Sequence, residues 1–206
     1  MILVGQYDSP YVRRVAVSLR VLGFDYEHDT RSVFGDFDAI QGINPAGRIP
    51  ALVLDDGEVL VDSAAILDWL DDSVGPERAL VPPRGIERRS ALRRIALASG
   101  AIDKIGAATY ERLMRPEALR WQEWIARCRT QGLGAFSALA AESWPANSAF
   151  DQAKITTACA LFYARMADPQ TVPLGRFPVL DRLSAECEER PEFAATRPAE
   201  YAIPGG

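Results

Sequence analysis

Apolar residues in the first third of the chain alternate between short unbroken runs and helical spacing. Met1-Ile2-Leu3-Val4 is a run that predicts a buried strand. Gln6 to Tyr11 then leads into a helix, with Ser9 at the N-cap and Pro10 at the first helical position, where a missing N–H goes unnoticed. Val12, Val15, Ala16 and Leu19 give that helix one apolar face, and Gly23 is placed to end it. Phe24 to Thr30 predicts a second strand, and a loop follows. Pro50-Ala51-Leu52-Val53-Leu54 opens a third strand on a proline, which cannot donate to a sheet ladder and so belongs at the strand's first residue. Asp55-Asp56-Gly57 is a hairpin turn, Val59 to Val61 a fourth strand, and Ser63 caps a helix whose apolar positions 66, 67 and 70 recur at helical spacing. The order strand, helix, strand, loop, strand, strand, helix over residues 1 to 72 defines a small open α/β sheet.

The pattern changes after that helix. Residues 73 to 85 hold Pro76, Pro82 and Pro83 between two glycines, a linker composition. The chain therefore divides into a domain over 1–75, a linker over 76–85 and a second domain over 86–206. The second domain reads as all-helical, with helices over about 86 to 113, 117 to 142, 152 to 166 and 178 to 189. Leu119, Trp121, Trp124 and Ile125 are its core candidates in the second of these. Trp144-Pro145-Ala146-Asn147-Ser148 separates the second helix from the third.

At 206 residues and 48% hydrophobic content the chain can bury a sizeable core. Its formal net charge of -5 argues against a nucleic-acid partner, because phosphate contacts need a concentrated basic face. Arg84, Arg88, Arg89, Arg93 and Arg94 approach such a face, but Glu87 and the apolar residues at 86, 92, 95 and 97 make them the solvated side of an amphipathic helix. No run spans a bilayer and no secretory leader is visible, so a cytoplasmic protein without a membrane partner is expected. Cys128, Cys159 and Cys187 are odd in number and widely spaced, as free thiols in a reducing compartment are. His28 is the only histidine, which leaves neither a Ser-His-Asp hydrolase nor a histidine-rich metal site, and no metal is expected.

Two places carry candidate chemistry. Pro50 turns its nitrogen toward a groove, and a cis Ile49-Pro50 bond would present the N–H and C=O of Ile49 together, one donor and one acceptor for a peptide-like ligand. The free N–H groups of the helix that starts at Ser63 suit a carboxylate, and Asp62 just before it suits an ammonium, which together describe a site for a zwitterion. The simpler reading of the same pair is a cap and a charge that complements the helix dipole.

Three segments, Tyr7-Asp8-Ser9-Pro10-Tyr11-Val12-Arg13-Arg14-Val15, Asn44-Pro45-Ala46-Gly47-Arg48-Ile49-Pro50-Ala51-Leu52 and Asp62-Ser63-Ala64-Ala65-Ile66, resemble in order and spacing the thioredoxin-like domain of glutathione S-transferases. The stretch from Phe177-Pro178-Val179-Leu180 to Arg197-Pro198 is similar to the end of that family's helical domain. The resemblance implies the glutathione S-transferase fold, an α/β thioredoxin-like N-terminal domain followed by an all-α C-terminal domain, and a homodimer. One local departure stands out. Where the family has Ser or Thr followed three residues on by Asp at a helix start, this chain has Asp151 and Lys154. Asp151 still caps, and an ion pair between the two would partly offset the unfavourable cation.

The same resemblance implies glutathione as co-substrate and a small apolar electrophile as second substrate. Ser9 would donate its O–H to the glutathione sulfur, with the helix N-terminus adding to the stabilisation of the thiolate. Ile49 and Pro50 would hold the cysteinyl part, Asp62 and Ser63 the γ-glutamyl end, and Arg48 a carboxylate. Tyr7, Tyr11 and Tyr110 would line a second-substrate pocket between the domains, and Tyr7 is the alternative thiol donor. With Ser and no Cys at position 9, thiol–disulfide exchange has no protein nucleophile. Transferase, glutathione-dependent isomerase, dehalogenase and peroxidase share such a site. The rival from another class is a non-catalytic dimeric interaction protein of the same fold.

Overall fold

The computed structural model describes residues 1–145 and 148–199; Ala146 and Asn147, inside the expected helix break, and residues 200–206 lie outside the described residues. The chain divides into two compact units, Met1–Gly85 joined by the described residues from Arg190 on, and Ile86–Glu189.

The first unit is built on four three-residue strands. β1 (Ile2–Val4) pairs in parallel with β2 (Glu27–Asp29) and antiparallel with β3 (Ala51–Val53), which pairs antiparallel with β4 (Val59–Val61), giving the order β2-β1-β3-β4. The crossover from β1 to β2 is α1 (Pro10–Leu22), the connection a parallel pair requires. α3 (Ser63–Val74) packs on α1, and Leu3, Val12, Val15, Leu19, Leu52, Ile66 and Leu70 are fully buried as the core between them and the sheet. Gly23 closes α1 with φ of 80°. This mixed sheet with its crossover helix is thioredoxin-like. Two details differ from the sequence reading. β2 is confined to residues 27–29, and the loop before Pro50 contains a short helix, α2 (Phe37–Gln41), too brief to leave a periodic signal.

The second unit is helical. α4 (Gly85–Met114), α5 (Gln122–Ala140), α6 (Gln152–Ala167) and α7 (Pro178–Glu188) enclose Ala101, Ile105, Phe136, Leu139, Ile155, Leu161 and Leu180, all fully buried. Gly132 of α5 lies where an added Cβ would stand 3.0 Å from Ile105, so the absent side chain permits the close approach of α5 to α4. Two core expectations are corrected. Leu119 is 66% and Trp121 59% exposed, because a 3-10 turn (Glu117–Leu119) breaks the helical phase and α5 starts only after Trp121. Ile125, in phase with α5, is buried as expected.

At the start of α6, Asp151 is the cap, accepting from the Lys154 N–H at 2.9 Å. The expected ion pair does not form. Lys154 is buried and its ammonium instead donates to the Ser148 carbonyl at 2.9 Å, which gives one of its N–H groups a partner without competing with the cap.

The last short helix, α8 (Pro191–Ala194), packs on α1 within the first unit. Arg13, 1% exposed, fixes it: Nε donates to the Thr196 carbonyl at 3.0 Å and Nη2 to the Phe193 carbonyl at 3.3 Å, with the guanidinium over the Phe193 ring.

Gly5 ends β1 at φ of 124°, and an added Cβ would stand 2.6 Å from Val12 Cγ2 and 2.8 Å from Ile49 Cβ. Gly5→Ala is therefore expected to destabilise the protein by on the order of 3 kcal/mol, from a strained backbone together with overpacking. Urea denaturation of the two proteins checks this, and an unchanged midpoint would show that Ile49 is free to move away.

Candidate functional site

Ser9, Ile49-Pro50 and Asp62-Ser63 all lie in the first unit, each at a junction where a strand or loop gives way to the next element. Ser9 is the N-cap of α1, and its Oγ accepts from the Val12 N–H at 3.4 Å. A hydroxyl that accepts in this way keeps its proton for another partner. Residues 44–50 are pinned by buried Asn44, whose Nδ2 donates to the Arg48 carbonyl at 2.7 Å and whose Oδ1 accepts from the Ala46 N–H at 3.1 Å. Gly47 turns this loop at φ of 62°, with the Phe37 ring where a Cβ would be. The Ile49–Pro50 bond is cis. Among the described residues neither the N–H nor the C=O of Ile49 takes part in a hydrogen bond. Arg48 is exposed and Pro50 buried.

The start of α3 differs by one residue from the sequence reading. Asp62, not Ser63, is the N-cap, its Oδ1 accepting from the Ala64 N–H at 2.8 Å. Asp62 sits at φ of 69° and ψ of 128°, a sparsely populated conformation that costs a non-glycine residue about 1–3 kcal/mol and that short acidic side chains tolerate best. Ser63 is released from capping and buried, and its Oγ accepts from Arg14 Nε at 3.2 Å and Nη2 at 2.6 Å. Arg14 itself is buried and lies over the Tyr11 ring, its Cζ 5.1 Å from the centroid. Sequence reasoning missed Arg14, because an arginine on an amphipathic helix reads as a solvated residue.

Tyr7 is buried and stacks on His28, ring centroids 3.8 Å apart, while His28 Nε2 bonds to the Gly5 carbonyl at 2.8 Å. The Tyr7 hydroxyl is 2.9 Å from the Tyr26 hydroxyl, to which Arg20 Nε donates at 3.2 Å. Burial first, and then the bond to Tyr26, hold the Tyr7 phenol well above its ordinary value. Burial likewise raises the Asp8 carboxyl. Tyr11 is half-buried in the first unit, and Tyr110 belongs to α4 of the second, 49% exposed. A cavity of about 280 Å³ in the second unit is lined by Glu111, Arg115, Leu119, Trp121 and Trp124 and includes none of the expected site residues. Among the described residues no group of His, Cys, Asp and Glu is arranged to hold a metal ion, and no helix is long and apolar enough to cross a membrane.

A thioredoxin-like unit with a cis-proline step and a strained acidic cap, followed by a helical unit, is what the resemblance to glutathione S-transferases leads one to expect. The family described as "Glutathione S-transferase, N-terminal domain" matches residues 3–78. A glutathione transferase family member from Pseudomonas fluorescens Pf-5, solved with bound glutathione, is 36% identical over 96% of this chain and 98% of its own, with a TM-score of 0.85. A glutathione S-transferase from Methylobacterium radiotolerans, solved in complex with glutathione sulfonate, is 29% identical over 98% of this chain and 96% of its own, with a TM-score of 0.90. The maleylacetoacetate isomerase of Pseudomonas aeruginosa is 30% identical over 68% of this chain and 69% of its own length. The chain belongs to the glutathione S-transferase family, an enzyme of the transferase or related isomerase type with the two-domain fold of that family.

An unfolded Tyr7 ionises near pH 10, whereas the folded one holds its proton, so its contribution to stability is complete below about pH 10 and lost as the pH rises further. The wild-type urea midpoint is expected to fall more between about pH 9 and 11 than that of Tyr7→Phe. Equal falls would mean that Tyr7 titrates normally.

Proposed function

We propose that the first unit binds glutathione and stabilises its thiol as thiolate for attack on a small apolar electrophile, and that the protein works as a cytoplasmic homodimer. The observation that carries the reading is the state of Ser9. Its oxygen accepts from the α1 backbone, so its proton is available to an incoming sulfur, and the positive end of α1 lies at the same point. Ser9 is a hydrogen-bond donor here and not a nucleophile. The commitment of the Tyr7 hydroxyl to Tyr26 supports Ser9 over Tyr7 for this role, with Tyr7 as a support for the loop and not a pocket wall.

The unengaged N–H and C=O of Ile49 would pair with the cysteinyl backbone of glutathione, with Pro50 fixing the turn. Asp62 would take the γ-glutamyl ammonium on its second oxygen and Ser63 the γ-glutamyl carboxylate. Exposed Arg48 would reach the glycyl carboxylate, and half-buried Tyr11 would contact the second substrate. Thiolate chemistry held in place by proximity serves both a displacement and a reversible addition to an activated double bond. Similarity to a maleylacetoacetate isomerase gives the second of these a specific footing.

Ser9→Ala is expected to raise the pKa of bound glutathione's thiol by roughly 1–2 units, the equivalent of one hydrogen bond to a charged group, while affinity changes only a few-fold. Ultraviolet titration of the thiolate in the binary complex reads this directly, and an unchanged curve would remove Ser9 from the mechanism. Asp62→Asn keeps a capping side chain that tolerates positive φ, so folding stability should stay within about 0.5 kcal/mol while glutathione affinity falls roughly 10- to 100-fold. Calorimetric titration with glutathione checks the charge. Retained affinity would reduce Asp62 to its cap.

A further inference from the structure

Ser63 is buried at the start of α3, and one guanidinium supplies two of its hydrogen bonds, Arg14 Nε at 3.2 Å and Nη2 at 2.6 Å. A serine oxygen has two lone pairs and one proton. Arg14 fills both lone pairs, and among the described residues the Ser63 proton is donated to no group. We propose that Arg14 is a positioning residue that fixes the polarity of the zwitterion site, forcing Ser63 to act as a donor and so to face the ligand's carboxylate, never its ammonium. The proposal rests on the reading of the first unit as a glutathione site.

The arrangement is one-sided for three reasons. A serine whose acceptor capacity is spent can only recognise an acceptor, which excludes the γ-glutamyl ammonium. The guanidinium stays charged at all working pH values and adds to the partial positive charge of the α3 N-terminus, so the potential at Ser63 favours an anion. Asp62, one residue away and exposed, carries the opposite sign and takes the ammonium. Arg14 is also pre-set. Buried in α1 with its guanidinium over the Tyr11 ring, it holds the Ser63 hydroxyl in one orientation before any ligand arrives. A lysine would keep the charge but offers no planar fork to occupy both lone pairs together.

The test measures binding of three peptides to the full-length protein by calorimetry: glutathione, its 4-aminobutyryl analogue, which lacks only the γ-glutamyl carboxylate, and its glutaryl analogue, which lacks only the ammonium. Arg14→Lys is expected to weaken glutathione and the glutaryl peptide by roughly tenfold each and the 4-aminobutyryl peptide by less than twofold. Equal weakening of all three would make Arg14 a purely structural residue and overturn the proposal, as would no weakening at all. Should Arg14→Lys fail to show a cooperative thermal transition, Ser63→Ala decides with the same peptides. It must abolish the preference for carboxylate-bearing peptides over the 4-aminobutyryl one, and a preference that survives overturns the proposal. Failure of the wild-type protein to bind any of the three would instead refute the glutathione reading itself, and this inference with it.

Discussion

Two consecutive buried arginines on α1 hold the first unit together. Arg13 and Arg14 point about 100° apart around the helix, so adjacent residues reach different parts of the chain. Arg13 donates to the carbonyls of Phe193 and Thr196, and Arg14 to Ser63. A buried guanidinium is tolerable only when its N–H groups are matched, and a hydrogen bond to a charged group is worth about 1.5–3 kcal/mol. The start of α3 and the segment after Arg190 are therefore placed by the demands of two charges on one helix. Segment 190–199 follows from that demand, joining the first unit although 104 residues of the second precede it from Ile86 to Glu189.

The same economy of lone pairs governs both serines of the site. Ser9 Oγ accepts from a backbone N–H and Ser63 Oγ from a guanidinium, so each hydroxyl is left as a donor. Each also lies at the N-terminal end of a helix, α1 or α3, where anions are favoured. Asp62 supplies the one negative group among them and is held in an uncommon backbone conformation to do so. On the proposed reading, such strain is the signature of a residue fixed for a ligand and not for the fold alone.

The fold was largely legible because strands and helices here differ in the period of their apolar residues. Ser9 and Gly23 as the ends of α1, the proline before β3 and the hairpin at Asp55-Asp56-Gly57 all follow from local chemistry. Errors fell where two adjacent residues can do the same job or where the pattern has no partner in sequence. Asp62 and Ser63 both cap well, and only the buried Arg14 decides between them by claiming the serine. Arg13, Arg14 and Lys154 are charged residues on amphipathic helices, indistinguishable in sequence from a solvated face, yet each is buried against carbonyl or hydroxyl oxygens far along the chain or in a neighbouring loop. Trp121 is the opposite case, since a large apolar residue just before a helix reads as in phase with it and yet stands exposed.

Stabilising a thiolate too strongly blunts it, because nucleophilicity falls as the thiol's pKa falls, with a Brønsted slope of about 0.4–0.5. The best attacking thiol has a pKa near ambient pH, so a cysteine thiol at about 8.5 gains from a downward shift of only one or two units. One hydrogen bond to a charged group is worth roughly 1.5–3 kcal/mol and a helix N-terminus about 0.3–1 kcal/mol, which together correspond to about 1.3–3 units. Ser9 at the cap of α1 is therefore a sufficient device on its own. A stronger one, such as an adjacent cation, would add thiolate that is already in excess and take away reactivity. A weakly acidic hydroxyl at a helix start, with its lone pair already engaged, meets the requirement of the proposed chemistry.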